Sequence, residues 1–183
     1  MVETGDTDDQ EHVERIASNT DVKKNAWSET IDDMKAMAAE LEEEGWTAFY
    51  VAAGHTAPET PEVGETDRYG LTHVVPDNYA EGFVEAFEAG EYPEYDVFRQ
   101  EVAGQLFSVT VLRDPDSMTA ILIAAALTLG DAAEMIRKSR SEGKTYTHVQ
   151  TLDKTHLGSF EHDAPEKFFP NFEEYDAYLE DES

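Results

Sequence analysis

The chain contains no cysteine. Structural disulfides, thiolate zinc sites and cysteine nucleophiles are therefore excluded from the start. Positive charge is scarce as well. Thirteen lysines and arginines face 41 aspartates and glutamates in 183 residues, a formal net charge of −28. Nucleic-acid phosphates are held by clustered lysine and arginine, and the densest cluster here is Arg137-Lys138-Ser139-Arg140. No nucleic-acid partner is expected; these cations end a predicted helix, whose negative pole suits them. Long apolar runs are missing too. The strongest, TAILIAAALTL from Thr119 to Leu129, is about half as long as the twenty or so residues of a spanning helix. Charged residues flank it on both sides, so no membrane role is expected. The opening segment MVETGDTDDQEHVE has neither the basic nor the apolar region of a secretory leader, and a cytoplasmic location is expected. Nucleophile elbow, P-loop, dinucleotide fingerprint and HExxH motif are all absent. No cofactor is expected.

What is present is enough for a core: 40% of residues are hydrophobic and 10% aromatic. The acids are spread along the chain, as in Glu40-Leu41-Glu42-Glu43-Glu44 and Glu173-Glu174-Tyr175-Asp176. In dilute buffer such a surface repels itself and loosens the compact state. At molar salt the screening length falls to about 3 Å and the repulsion is muted. A domain adapted to high internal salt is expected, against the plainer alternative of an ordinary acidic domain with a solvated face.

Residues 1–18 are polar and acidic and read as a mobile tail, followed by one domain over 19–183. From Val22 to Glu44 the apolar residues Trp27, Ile31, Met34, Ala38 and Leu41 form one helical stripe, with Gly45 as the stop. Trp46–Ala53 reads as a strand. GHTAPETPEVGETDRYG reads as a loop by its proline and glycine content. A short strand at Leu71–Val75 precedes a helix capped by Asp77, with Phe83, Val84 and Phe87 buried. Tyr95–Ala103 and Gln105–Arg113 pair about Gly104. Asp114-Pro115-Asp116-Ser117 then suits a tight turn. That turn makes TAILIAAALTL the returning strand of a hairpin, buried on both faces, although alanine also favours helix. A helix to Ser141, a hairpin around Asp153-Lys154 and a short C-terminal helix from Asn171 complete the string. Helices and antiparallel strands mix without a βαβ rhythm, which predicts an α+β domain with a mainly antiparallel sheet. The order of the first eight elements matches profilin-like and roadblock-like sandwiches, a likeness that carries no function.

Two groups of histidines are candidates for chemistry. His148, His156 and His162 crowd the last hairpin beside Asp153 and Glu161. A two-residue turn at Asp153-Lys154 would pair His148 with Ser159 and His156 with Thr151. His148 and His156 would then lie on opposite faces, and no metal site is expected. His55, directly after the first strand, and His73, within the second, could border the loop that carries Asp67 and Arg68. These four residues are the candidate acid–base or small-ligand site. The C-terminal aromatics Phe168, Phe169, Phe172, Tyr175 and Tyr178 are expected to pack on the domain itself, the alternative being a motif offered to a partner.

The segments ELEEEGW, GETDRYGLTHVVPDN, YDVFR, VLRDPDS and THLGSFEHDAPEKFF resemble an uncharacterised family of small acidic haloarchaeal proteins, from about Trp27 to Phe169. The resemblance implies life at high salt and transfers no site residues. The leading functional expectation is a non-enzymatic module that works through a protein partner or self-association. The second is a small-molecule sensor or enzyme using His55, Asp67, Arg68 and His73.

Overall fold

The computed structural model describes residues 3–61, 69–170 and 172, with side chains from Asn19 onward. In chain order the elements are α1 (Glu3–Glu43), β1 (Thr47–Ala52), β2 (His55–Glu59), β3 (Gly70–Val74), α2 (Ala80–Glu88), β4 (Glu94–Val102), β5 (Gln105–Asp114), β6 (Thr119–Thr128), α3 (Ala133–Glu142), β7 (Thr145–Gln150) and β8 (His156–His162). The strands form two four-stranded sheets, ordered β1-β6-β5-β4 and β2-β3-β7-β8. Most pairings are antiparallel, but β1 runs parallel to β6 and β3 parallel to β7. The architecture is α+β, as expected, with two mixed sheets.

TAILIAAALTL becomes β6, and its burial explains its composition. The Asp114–Ser117 turn returns the chain so that Thr119 pairs with Asp114 and Thr128 with Gln105. Ile121 and Ile123 point to one side, into a core with Val51, Leu112, Phe83 and Phe160. Ala120, Leu122 and Ala124 point to the other, against Met34 and Ala38 of α1. All five are fully buried; burying each isoleucine or leucine side chain contributes about 1.5–3 kcal/mol. The stripe read from the sequence is the one α1 uses, since Trp27, Ile31 and Leu41 join the same cluster.

Several expectations change. The helix begins at Glu3 rather than near Val22. The stretch read as a loop contains β2. Its Pro58 is tolerated because β2 is an edge strand, where a missing N–H leaves no ladder bond unmade. Asp77 does not cap α2; it opens a 3-10 turn over Asp77–Tyr79, and Tyr79 stands at the N-cap of the helix without a side-chain capping bond. Arg140 lies in the last turn of α3, and Gly143 ends that helix with φ of 71°.

Candidate functional site

Of the four residues read as a site, His55 opens β2 and is exposed, whereas His73 in β3 is buried, 1% exposed. The register pairs His55 with Val74 and Thr56 with His73. Residues directly opposite share a face and neighbours alternate, so the two rings point to opposite sides of the sheet. Asp67 and Arg68 lie outside the described residues. His73 Nδ1 meets Thr56 Oγ1 at 2.8 Å, and its Nε2 has no hydrogen-bond partner among the described residues. Burial first, then the neighbouring His148 and His162, push the His73 pKa down to about 3. His73 is therefore a neutral core residue.

His55 does border a pocket, on the other side of the sheet from His73. The pocket, about 460 Å³, lies between α1 and the β1–β2 corner, with Lys23, Lys24, Trp27, His55, Thr56 and Phe107 among its walls. Lys23 and Lys24 stand four and three residues before Trp27, which places them on the same side of the helix. The Trp27 and Phe107 rings, 6.5 Å apart, form the apolar wall. Among the described residues, none that lines it is acidic, in a chain where 41 of 183 residues are. The sequence reading missed both lysines, which look like ordinary solvated helix positions; their spacing from Trp27 was the available signal. Thr56 joins the two histidines, since it borders the pocket and holds His73.

The last hairpin brings together what its predicted turn kept apart. The loop is longer than two residues: Thr151 and Thr155 bracket it with a backbone bond, and Lys154 has φ of 70°. This shifts the pairing by one, so His156 meets Gln150 instead of Thr151. A β-bulge at Val149/Gln150 then restores the expected register, and His148 pairs with Ser159 as read. The bulge re-aims His156, and its ring centre comes 6.2 Å from that of His148. Ser159 Oγ lies 2.7 Å from His148 Nδ1 and 3.1 Å from His156 Nε2. His148 Nε2 is 2.9 Å from the Tyr69 carbonyl oxygen. The sequence carried no signal for Ser159, because two compensating irregularities create this cluster.

His162 faces inward, 1% exposed. Its Nε2 lies 2.7 Å from Thr147 Oγ1, and its Nδ1 has no hydrogen-bond partner among the described residues. Burial lowers its pKa to about 4. Among the described residues, no three histidine, aspartate or glutamate side chains are grouped to hold a metal ion, and no helix is long and apolar enough to cross a membrane. Phe168 and Phe169 are buried with α3 residues Met135 and Ile136, and Phe172 packs against that cluster. These aromatics dock on their own domain. Tyr175, Tyr178 and the helix predicted from Asn171 lie outside the described residues, apart from Phe172.

Comparison with curated proteins and with solved structures finds no match. One family model does match, over residues 13–170, and by that match the chain belongs to DUF7529, a family of unknown function.

Proposed function

We propose that this protein is a regulatory module of the cytoplasm whose pocket at His55 binds a small anion with a planar apolar part. The observation that carries this is the pocket at His55, which among the described residues gathers Lys23, Lys24 and His55 without one carboxylate in a chain of net charge −28. A local cationic pocket in a polyanion attracts and orients an anion, and the Trp27–Phe107 wall suits a flat ring.

Trp27 reports its own pocket once Trp46, the other tryptophan, is changed to Phe. In this variant, at constant molar KCl, benzoate should alter Trp27 emission saturably. Lys24→Glu should weaken binding at least tenfold, about 1.4 kcal/mol. A linear, unsaturated response, or an affinity indifferent to Lys24→Glu, would overturn the reading.

A second reading, docking of a protein partner or another copy of the chain, is favoured by Phe98. It is 51% exposed on β4, an edge strand of its sheet, where an incoming strand can pair.

High internal salt is the setting proposed for both. The urea midpoint should fall by about 1 M or more between 3 M and 0.2 M KCl, roughly 1–3 kcal/mol. An unchanged midpoint would remove the salt argument. Light scattering over the same salt series tests self-association, and a single-chain mass at every salt and protein concentration would sink it.

A further inference from the structure

Ser159 and its two histidines form a second constellation, independent of the anion pocket. A carbonyl oxygen only accepts, so the Tyr69 oxygen fixes the His148 ring proton on Nε2. The neutral ring then turns a bare Nδ1 toward Ser159, and the hydroxyl donates to it across 2.7 Å. His156 Nε2, 3.1 Å away, donates to the same oxygen. A hydroxyl that gives its proton to an imidazole, itself oriented by a third group, has the geometry of an activated nucleophile. A surrounding row of rings steadies the base: Tyr146 stacks on His148 at 5.8 Å and meets Tyr69 edge-on at 5.2 Å.

The serine is also within reach of solvent. It is half-buried on β8, an edge strand, and lines an open groove of about 710 Å³ that also presents Phe87, Tyr92, Tyr95 and Phe160. Among the described residues, Glu91, Glu161 and Asp163 border the groove and outnumber the one cation there, Lys144. Anionic substrates are disfavoured there, whereas a neutral molecule with an apolar or aromatic group suits the aromatic side chains.

We propose that Ser159 is an acyl-accepting nucleophile with His148 as its general base, acting on small neutral carboxylic esters. In the first step Ser159 Oγ bonds to the ester carbonyl carbon while its proton passes to His148 Nδ1. The carbonyl π electron pair moves onto the carbonyl oxygen, which becomes the oxyanion of a tetrahedral adduct. Collapse of that adduct breaks the bond to the alcohol oxygen, which leaves with the proton from His148. Water then attacks the acyl-serine, giving one proton to His148 Nδ1. Release of the carboxylic acid returns that proton to Ser159. Throughout, His148 Nε2–H stays on the Tyr69 carbonyl, and His156 supports the serine oxygen when it carries negative charge.

The full chain, folded in molar KCl, is treated with a fluorophosphonate, and the adduct is mapped by peptide mass spectrometry. One adduct per chain is expected, on Ser159 and absent from Ser159→Ala. His148→Gln keeps a donor for the Tyr69 carbonyl but offers no base, so its labelling should be a hundredfold slower or more. The expected pre-steady-state burst with 4-nitrophenyl acetate is one nitrophenolate per chain. No adduct on Ser159, or equal rates in wild type and His148→Gln, overturns the proposal and assigns the cluster a purely structural role. Should circular dichroism show that His148→Gln does not fold, Ser159→Cys decides instead. Iodoacetamide should alkylate that thiol at least tenfold faster in the folded protein than in urea, and equal or slower alkylation overturns the proposal.

Discussion

Gly70→Ala should abolish the native fold or leave it on the edge of unfolding. Gly70 starts β3 at φ of +122°, a region closed to side-chain-bearing residues. A Cβ there would lie 2.3 Å from the backbone oxygen of Tyr146 and 2.9 Å from its carbonyl carbon. These atoms belong to β7, the parallel neighbour of β3, and backbone cannot rotate aside as a side chain can. Relief would require β3 and β7 to part at the middle of their sheet. The expected loss is about 4 kcal/mol or more, a large share of the 5–15 kcal/mol typical of a domain. Gly104→Ala is the matched control. Its φ is also positive, +79°, but its Cβ would meet nothing within 4 Å, and only the conformational penalty of about 1 kcal/mol should appear. Urea midpoints of the two variants at one salt concentration measure the difference. Equal losses would show that the close approach to Tyr146 does not matter.

Mild acid should destabilise the protein through two internal histidines. In the folded chain His73 and His162 have pKa values pushed down to about 3 and about 4, chiefly by burial. Each also has a ring nitrogen with no hydrogen-bond partner among the described residues, so a second N–H would be left unsatisfied there. Unfolded histidine titrates near 6.5. Below that pH the unfolded chain takes up protons that the folded chain refuses, so stability falls as pH falls. The loss continues until the folded rings themselves titrate. Between pH 6.5 and 5 it amounts to about 1.6 kcal/mol per histidine, roughly 3 kcal/mol in all. This window lies above the main carboxylate titration, where neutralising the surface would act in the opposite sense. Urea unfolding at pH 7, 6 and 5 in constant molar KCl gives the slope. The double variant His73→Asn, His162→Asn should flatten it, whatever its own starting stability. A wild-type stability that does not change across the window, or a double variant that falls just as steeply, contradicts the assignment.

Local pattern made much of this fold legible. The α1 stripe from Trp27 to Leu41 could be read because one helical face meets one sheet. The Asp114–Ser117 turn settled the identity of β6, whose composition alone suits helix and strand equally. Pairing across distance left no local mark: β1 lies parallel to β6, and neither strand's sequence names the other. β2 escaped notice because proline and glycine argue for loop, and only its edge position makes Pro58 harmless. The candidate site was harder still. His55 was correctly placed at a strand end, but its pocket partners are lysines on α1, brought there by tertiary packing. His73 looked like a site residue for the same reason that it is a core residue, since a polar ring within a short apolar strand fits both descriptions. Ser159 stayed hidden because a one-residue shift and its reversal cannot be read from an alternating pattern.

The small side chains of Ala120 and Ala124 let α1 settle close to β6, and that seating determines where Lys23 and Lys24 hang. Sliding the helix by one turn, about 5.4 Å, would carry both ammonium groups away from His55. Any guest held jointly by helix and sheet therefore clamps α1 in place, and by thermodynamic reciprocity whatever loosens α1 ejects the guest. Occupancy of a surface pocket and the grip of a long helix become a single equilibrium, which a partner tugging on either could move.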